Sequence, residues 1–93
     1  MSDAEELIEY FNKPETQEKV LALAEQIREV FNGEWFTVTD CVKIFKEASP
    51  EQILDILNAL NLCGFLIVNT KKSYERLRLS GNQFKRLEDV LRK

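Results

Sequence analysis

The chain has 93 residues, of which 44% are apolar and 31% are charged, with a formal net charge of −3 and no histidine. This composition is typical of one folded domain with a single core and argues against disorder. The sequence has no apolar run near the roughly 18 residues that span a bilayer, and its acidic, polar N-terminus does not resemble a secretory or mitochondrial signal. It therefore predicts an intracellular, cytoplasmic protein with no membrane partner.

The residue types that build most catalytic and metal sites are missing from the sequence. Without histidine the chain lacks the commonest general base. Without histidine or a CxxC pair it also lacks the usual ligands of zinc. The three glycines stand apart, so they form no glycine-rich phosphate loop. We therefore expect a binding function, with no enzymatic activity, no metal and no cofactor.

Two cysteines, Cys41 and Cys63, lie 22 residues apart in apolar surroundings. Reduced thiols buried in the core are the favoured interpretation, because free cysteine is among the most buried residue types. A disulfide requires an oxidising compartment or a hyperthermophilic host and is a second interpretation. Metal or redox sensing by the two thiols is a third.

Charge is distributed unevenly along the chain. Residues 71–93 contain eight basic and three acidic side chains, a net charge of +5, whereas residues 1–70 contain five basic and thirteen acidic side chains, a net charge of −8. Such asymmetry suggests a surface with a basic side and an acidic side. The alternative is a set of ordinary solvated faces that sort by sign along the chain.

The first third of the chain carries two helix signals. Ser2 and Glu5 have the spacing of a capping box, which predicts a short helix over about residues 3–11. Pro14 is well placed at the first position of a second helix, whose apolar residues recur at helical spacing. Gly33 is the expected left-handed residue that ends it.

Two more helices are predicted between residues 37 and 64. Thr37, with Asp40 three residues later, predicts the cap of the first helix. The segment Ser49–Gln52 combines an N-cap serine, a proline at the first position and a glutamine at the third, and it predicts the start of the second. The apolar positions expected to face the core are Val38, Cys41, Val42, Phe45, Ile53, Ile56, Leu57 and Leu60.

A hairpin and a last helix complete the order of elements. Phe65–Val68 is a short apolar strand, a polar turn follows, and a second strand covers residues 74–79. Ser80 begins a capped helix over about residues 81–92. The second strand alternates, with two leucines on one side and two arginines on the other: Leu77 and Leu79, Arg76 and Arg78.

This order resembles the winged helix-turn-helix superfamily over about residues 20–91, and it is most similar to regulators of the multiple-antibiotic-resistance type. The resemblance implies a mainly α fold with a small β-hairpin wing and extra N- and C-terminal helices. It places residues 1–93 in one domain, with the helix-turn-helix at about 37–64 and the wing at about 65–79. These motifs specify the fold and leave the activity open. The matching segments are Phe36–Val42, Ser49–Ile53, Leu60–Leu66 and Leu79–Gln83, the last with its glycine displaced.

The resemblance also implies a small transcriptional regulator that binds double-stranded DNA. In such folds the second helix of the pair enters the major groove, where Gln52 and Asn58 could read adenine. That helix contains no lysine or arginine. Phosphate contact is therefore expected from the wing, although lysines on a hairpin also protect its edges from pairing. The predicted basic contacts are Lys71, Lys72, Arg76 and Arg78, with Lys85 and Arg86 extending the set.

The acidic character of the same helix favours an alternative, a winged helix that binds a protein. Its outward positions combine acids with leucines, which suits a basic partner with an apolar centre better than it suits DNA. The residues predicted for this face are Glu51, Leu54, Asp55, Asn58 and Leu62.

Apolar side chains on the two terminal helices predict a homodimer. Resembling regulators dimerise through terminal helices, since two half-sites multiply affinity for DNA. Packing of these side chains within one chain is the alternative. The predicted contacts are Leu7, Ile8, Phe11, Leu87, Val90 and Leu91.

Overall fold

The computed structural model describes residues 12–71 and 74–91. This part of the chain is mainly helical, with one two-stranded antiparallel hairpin, as the sequence predicts. The predicted helix over residues 3–11 lies outside the described residues. No helix within them is long and apolar enough to cross a bilayer. The elements, in chain order, are α1 (Pro14–Phe31), α2 (Val38–Ile44), α3 (Pro50–Leu62), β1 (Ile67–Lys71), β2 (Tyr74–Arg78) and α4 (Gly81–Leu91).

Helix α1 begins at its proline, as predicted, and ends at Phe31. The first left-handed residue after it is Asn32, one position before the predicted Gly33. Asn32 already has φ 48°, and Gly33 follows with φ 85°. The backbone N–H of Asn32 donates to the carbonyl of Arg28 and closes the last turn. Asparagine tolerates this conformation better than other residues with a Cβ. The buried stripe of α1 consists of Val20, Leu23, Ala24 and Ile27.

Both predicted capping boxes are present at the starts of α2 and α3. The Asp40 N–H donates to the Thr37 hydroxyl at 3.2 Å, and the Thr37 N–H donates to the Asp40 carboxylate at 3.0 Å. Ser49 and Gln52 exchange the same two bonds, at 3.2 and 3.1 Å. Each box satisfies donors that a helix start otherwise leaves without partners. The start of α3 is therefore held by its own side chains.

The first strand begins two residues later than predicted, at Ile67. Gly64 has φ 80°, the Phe65 N–H donates to the Leu60 carbonyl and the Gly64 N–H donates to the Asn61 carbonyl. These two bonds form a Schellman motif at the end of α3. Phe65 is therefore part of the helix cap, buried against the core, and is not available for strand pairing.

An isolated β-bridge pairs the hairpin with the loop after α1. Phe36 and Leu77 exchange two backbone hydrogen bonds, of 2.8 and 2.7 Å. Phe36 then lies inside the molecule with its ring stacked on Phe31, 5.0 Å between centroids. Helix α1 also packs on α4. The bridge therefore places the hairpin against the same core as the helices.

Burial corrects two predictions about individual residues. Cys41 is buried, as predicted, whereas Cys63 is exposed because it is the C-cap of α3, within the exposed turn of residues 61–64. Leu87, predicted to face a partner in a dimer, is fully buried inside this chain. Leu91 also packs on the core, and only Val90 of the α4 residues proposed for dimerisation is exposed. Leu7, Ile8 and Phe11 lie outside the described residues.

Candidate functional site

The two arginines of β2 project from the hairpin on the side away from the core. Arg76 and Arg78 are exposed, while Leu77 and Leu79 between and beyond them are buried. This alternation was predicted from the sequence, and it follows from the two-residue period of a strand. Strand β2 therefore separates its arginines from its leucines.

The neighbours of these arginines define an exposed surface. In the register of the hairpin Asn69 lies opposite Arg76 and Ile67 lies opposite Arg78. Both Asn69 and Ile67 are exposed. Trp35, 36% exposed, lies beside Arg78, whose guanidinium carbon is 6.0 Å from the centre of the Trp35 ring. We call Trp35, Ile67, Asn69, Arg76 and Arg78 the hairpin face.

Trp35 is a member of this face that the sequence prediction missed. The alternation of side chains along an extended chain is a signal for it. Because Phe36 faces inward, the preceding Trp35 must face outward. What was missing was the pairing of Phe36 with Leu77, 41 positions later in the chain. A bridge of this kind has no local sequence signature.

Arg78 also has a structural contact. Its Nε donates to the carbonyl of Gly33 at 2.6 Å, which ties β2 to the loop after α1. Arg28 makes a similar connection from the helix side, because its Nη1 donates to the carbonyl of Leu79 at 3.0 Å. A guanidinium carries five N–H donors. The bond to Gly33 uses one of the donors of Arg78 and leaves the Nη edge for another acceptor.

The surroundings of Arg76 are mixed in charge. Arg76 lines a shallow recess of about 250 Å³ together with Trp35, Phe36, Thr37 and Asp40. The Asp40 carboxylate within this recess already accepts the N–H of Thr37. The volume is below that of most pockets for small molecules. We therefore treat the recess as part of a docking surface and assign it no small ligand.

The other predicted basic residues do not all extend this surface. The side chains of Lys71 and Lys72 lie outside what the structure describes. Lys85 is exposed. Arg86 lies over the ring of Phe65, 5.5 Å from its centre, and donates to Gln83 at 2.8 Å. Arg86 therefore covers a core aromatic residue at the end of α3.

The outward positions of α3 match the prediction. Its core residues, Ile53, Ile56, Leu57 and Leu60, are buried, and Ala59 joins them. The predicted outward residues are all exposed: Glu51, Gln52, Leu54, Asp55, Asn58 and Leu62. The exposed fractions of Leu54 and Leu62 are 44% and 64%.

Gln52 is less suited to reading a base than the sequence suggests. Bidentate recognition of adenine requires both the oxygen and the nitrogen of the side-chain amide. The oxygen of Gln52 accepts the Ser49 N–H at 3.1 Å. Reading adenine with both groups would therefore cost the cap of α3. Asn58, also exposed, lies two turns further along the helix than the residues that usually meet the bases.

The two thiols differ in their surroundings, and both are reduced. Burial, reinforced by the carboxylate of Asp40, raises the pKa of Cys41 to about 12. Partial burial raises the pKa of Cys63 above its usual value as well. Neither thiol is activated as a nucleophile, since a raised pKa lowers the thiolate fraction at neutral pH. The described residues contain no group of cysteine, aspartate and glutamate side chains arranged to hold a metal.

Comparison with family models, with curated proteins and with solved structures finds no match for this chain. Function is therefore inferred from the residues of the chain itself. Within residues 12–71 and 74–91, two surfaces bear on function: the hairpin face with its arginines, and the outward side of α3 with its acids and leucines.

Proposed function

We propose that this protein is a small winged-helix transcriptional regulator that binds duplex DNA through its hairpin face. In this proposal α2 and α3 are the helix-turn-helix, and β1 with β2 is the wing. The element order and the capped starts of α2 and α3 support this fold. The protein acts in the cytoplasm, and it binds phosphates without chemistry of its own.

One observation carries the proposal, the exposure of Arg76 and Arg78 on one side of β2. Residues two apart in a strand are separated by about 7 Å. That separation is close to the distance between neighbouring phosphates of one nucleic-acid strand, so the two guanidinium groups can contact consecutive phosphates. Asn69, opposite Arg76, adds a neutral hydrogen-bonding side chain to the same face. Lys71 and Lys72, close to these arginines in the sequence, are expected to add further phosphate contacts.

The α3 helix takes a minor part in this binding mode. Glu51 and Asp55 are exposed on it, and carboxylates are repelled by phosphate-lined groove walls. The amide of Gln52 is held in the helix cap. Contacts made mainly to phosphates position a protein without selecting a sequence. We therefore expect weak binding, with little preference among duplexes.

Salt dependence gives a quantitative test. If Lys71, Lys72, Arg76 and Arg78 each neutralise one phosphate, the logarithm of the association constant falls against the logarithm of salt concentration with a slope of about −3.6. Removing one of these charges should reduce the slope by about 0.9. Fluorescence anisotropy with a labelled duplex of mixed sequence, measured from low to moderate salt, provides both values.

Charge reversal tests the surface. Arg76→Glu should weaken binding of every duplex tested, and Arg78→Glu should do the same with an additional loss of stability. Lys13→Glu is a matched control, because Lys13 lies far from Arg78. Lys13 precedes α1, whose 18 residues span about 27 Å, and Arg78 contacts the loop at the other end of that helix. Absence of any anisotropy change with wild-type protein at low salt would refute the proposal. An equal loss of duplex affinity in Lys13→Glu would show that the net charge of the protein, and not the hairpin face, determines binding.

A homodimer is part of this proposal. Two wings on one duplex would multiply a weak affinity. Leu87 is buried within the chain and is excluded from the interface, so of the α4 residues only the exposed Val90 remains a good candidate. The remaining contacts are predicted from the helix over residues 3–11.

A further inference from the structure

The outward side of α3 forms a second exposed surface, which shares no residue with the hairpin face. We call Glu51, Leu54, Asp55, Asn58 and Leu62 the α3 face; all five side chains are exposed. Leu54 and Leu62 are eight residues apart, a separation of about 12 Å along the helix axis. Asn58 lies between them on the same stripe, since residues four apart share a side of a helix. The face is therefore a stripe of two leucines with an asparagine between them, beside two carboxylates.

The α3 face is held rigidly. The opposite side of the helix is anchored in the core by Ile53, Ile56, Leu57 and Leu60. A capping box holds the first turn and a Schellman motif holds the last. A surface on such a helix loses little conformational freedom when it binds, which improves affinity.

Helix stability explains only part of this face. Glu51 lies in the first turn of α3, where the helix dipole favours an acid, but the other residues gain nothing of this kind. Asp55 is a poor helix former, and its neighbour four residues earlier is Glu51, another acid. Its neighbours at positions 52, 58 and 59 are glutamine, asparagine and alanine, so no helix partner compensates its charge. The exposed leucines contribute little to the core. An uncompensated aspartate beside two exposed leucines therefore points to a binding role.

We propose that the α3 face docks an amphipathic helix of a partner protein, one that carries lysine or arginine beside an apolar stripe. Two apolar anchors seven or eight residues apart on that helix match the spacing of Leu54 and Leu62, and its basic residues meet Glu51 and Asp55. This inference goes beyond DNA binding and does not depend on it.

Charge complementarity favours a basic amphipathic helix over two other occupants, duplex DNA and a second copy of the chain. Duplex DNA would bring phosphates against the carboxylates of Glu51 and Asp55. A second copy of the chain would bring four carboxylates into one two-fold interface, and α3 has no lysine or arginine to pair with them. A basic amphipathic helix satisfies both the leucines and the acids.

The probe is a fluorescent synthetic peptide of about 18 residues, with leucines at helical spacing on one face and lysines elsewhere. A peptide of the same composition in scrambled order is its control. We expect the amphipathic peptide to shift backbone amide resonances of residues 51–63, measured by NMR on the isotopically labelled full chain, and to leave β2 unshifted. Resonance changes confined to another surface, or equal binding of the scrambled peptide, would overturn the proposal.

Substitutions define the contact. Leu54→Arg and Leu62→Arg should each weaken peptide binding by about tenfold, the scale of a central interface contact. Val30→Arg is the matched control, because Val30 is 50% exposed on α1 and lies in neither proposed surface. Circular dichroism melts check that all three variants fold. Equal weakening in Val30→Arg would show that added positive charge, and not the α3 face, decides the affinity.

Cys63 supplies a second measurement in the native protein. It is exposed directly after Leu62, whereas Cys41 is buried. Bound peptide should slow alkylation of Cys63 severalfold, and a duplex bound at the hairpin should not. Protection of Cys63 by the duplex, or resonance shifts at residues 51–63 that depend on protein concentration alone, would overturn the proposal in favour of DNA or a second copy.

The two proposals fail separately. Arg76→Glu should reduce duplex binding and leave peptide binding unchanged. Leu54→Arg should reduce peptide binding without reducing duplex binding. Binding of the peptide without binding of duplex DNA would support the helix-docking proposal and refute the proposed function. Binding of duplex DNA through residues 51–63 would refute the helix-docking proposal.

Discussion

Arg78 lies on the hairpin face and also ties the hairpin to the rest of the fold, and Arg78→Lys separates the two roles. Lysine keeps the positive charge that a phosphate requires. It loses the Nε donor bonded to the Gly33 carbonyl at 2.6 Å and the planar group that lies over Trp35. We therefore expect Arg78→Lys to reduce stability while largely preserving duplex binding.

The magnitude follows from the two contacts. A hydrogen bond from a charged donor contributes about 1.5–3 kcal/mol, and solvent exposure of Arg78 reduces this to about 1 kcal/mol. An exposed cation–π contact adds about 0.5 kcal/mol. Arg78→Lys keeps part of the second contact and should cost about 1 kcal/mol, and Arg78→Gln about 1.5 kcal/mol. For a domain of this size, 1 kcal/mol lowers the melting temperature by about 4–8 °C.

Urea unfolding followed by tryptophan fluorescence is a direct assay, because Trp35 is the single tryptophan and lies beside Arg78. Lys85→Gln is the control, since it removes one exposed charge from α4 and should change the free energy of unfolding by less than about 0.5 kcal/mol. Arg78→Lys with wild-type stability and unchanged Trp35 emission would refute the contact. A loss of duplex binding in Arg78→Lys equal to that in Arg78→Gln would refute the separation of roles.

Three further predictions concern the core, the buried thiol and assembly. Leu87→Ala should cost about 3 kcal/mol in urea unfolding because Leu87 is fully buried, while Val90→Ala, at an exposed position of α4, should cost less than about 1 kcal/mol. The pKa of Cys41, about 12 when folded against an ordinary 9.0, lies above its unfolded value. Its contribution to stability is therefore complete below about pH 9 and is lost as the pH rises towards 12, by about 1.4 kcal/mol per pH unit, a slope that Cys41→Ala should lack. Sedimentation velocity at micromolar concentration should show a homodimer.

Each of these can fail clearly. Similar losses from the alanine variants of Leu87 and Val90 would contradict the burial of Leu87. Parallel stability curves for wild-type and Cys41→Ala above pH 9 would contradict the raised pKa. A monomer at every accessible concentration would remove the dimer from the proposed function.

Local features of this fold were predictable from the sequence alone. The capping boxes at Thr37 and Ser49 depend on residues three positions apart, so their signals are complete within one turn. The opposite directions of Arg76 and Leu77 follow from the period of a strand. The same periodicity identified the outward residues of α3 before any packing was known. For these features the chain needs no distant partner.

Tertiary structure decided the features that depend on distant residues. The bond of Arg78 to Gly33 joins residues 45 positions apart, and that of Arg28 to Leu79 joins residues 51 positions apart. Leu87 lies on the apolar side of an amphipathic helix, and this pattern is the same whether a partner or the chain's own core covers it. Only the packing of the folded chain shows that its own core covers Leu87. Periodicity shows which side of an element is apolar, and the contacts of the folded chain determine what lies against that side.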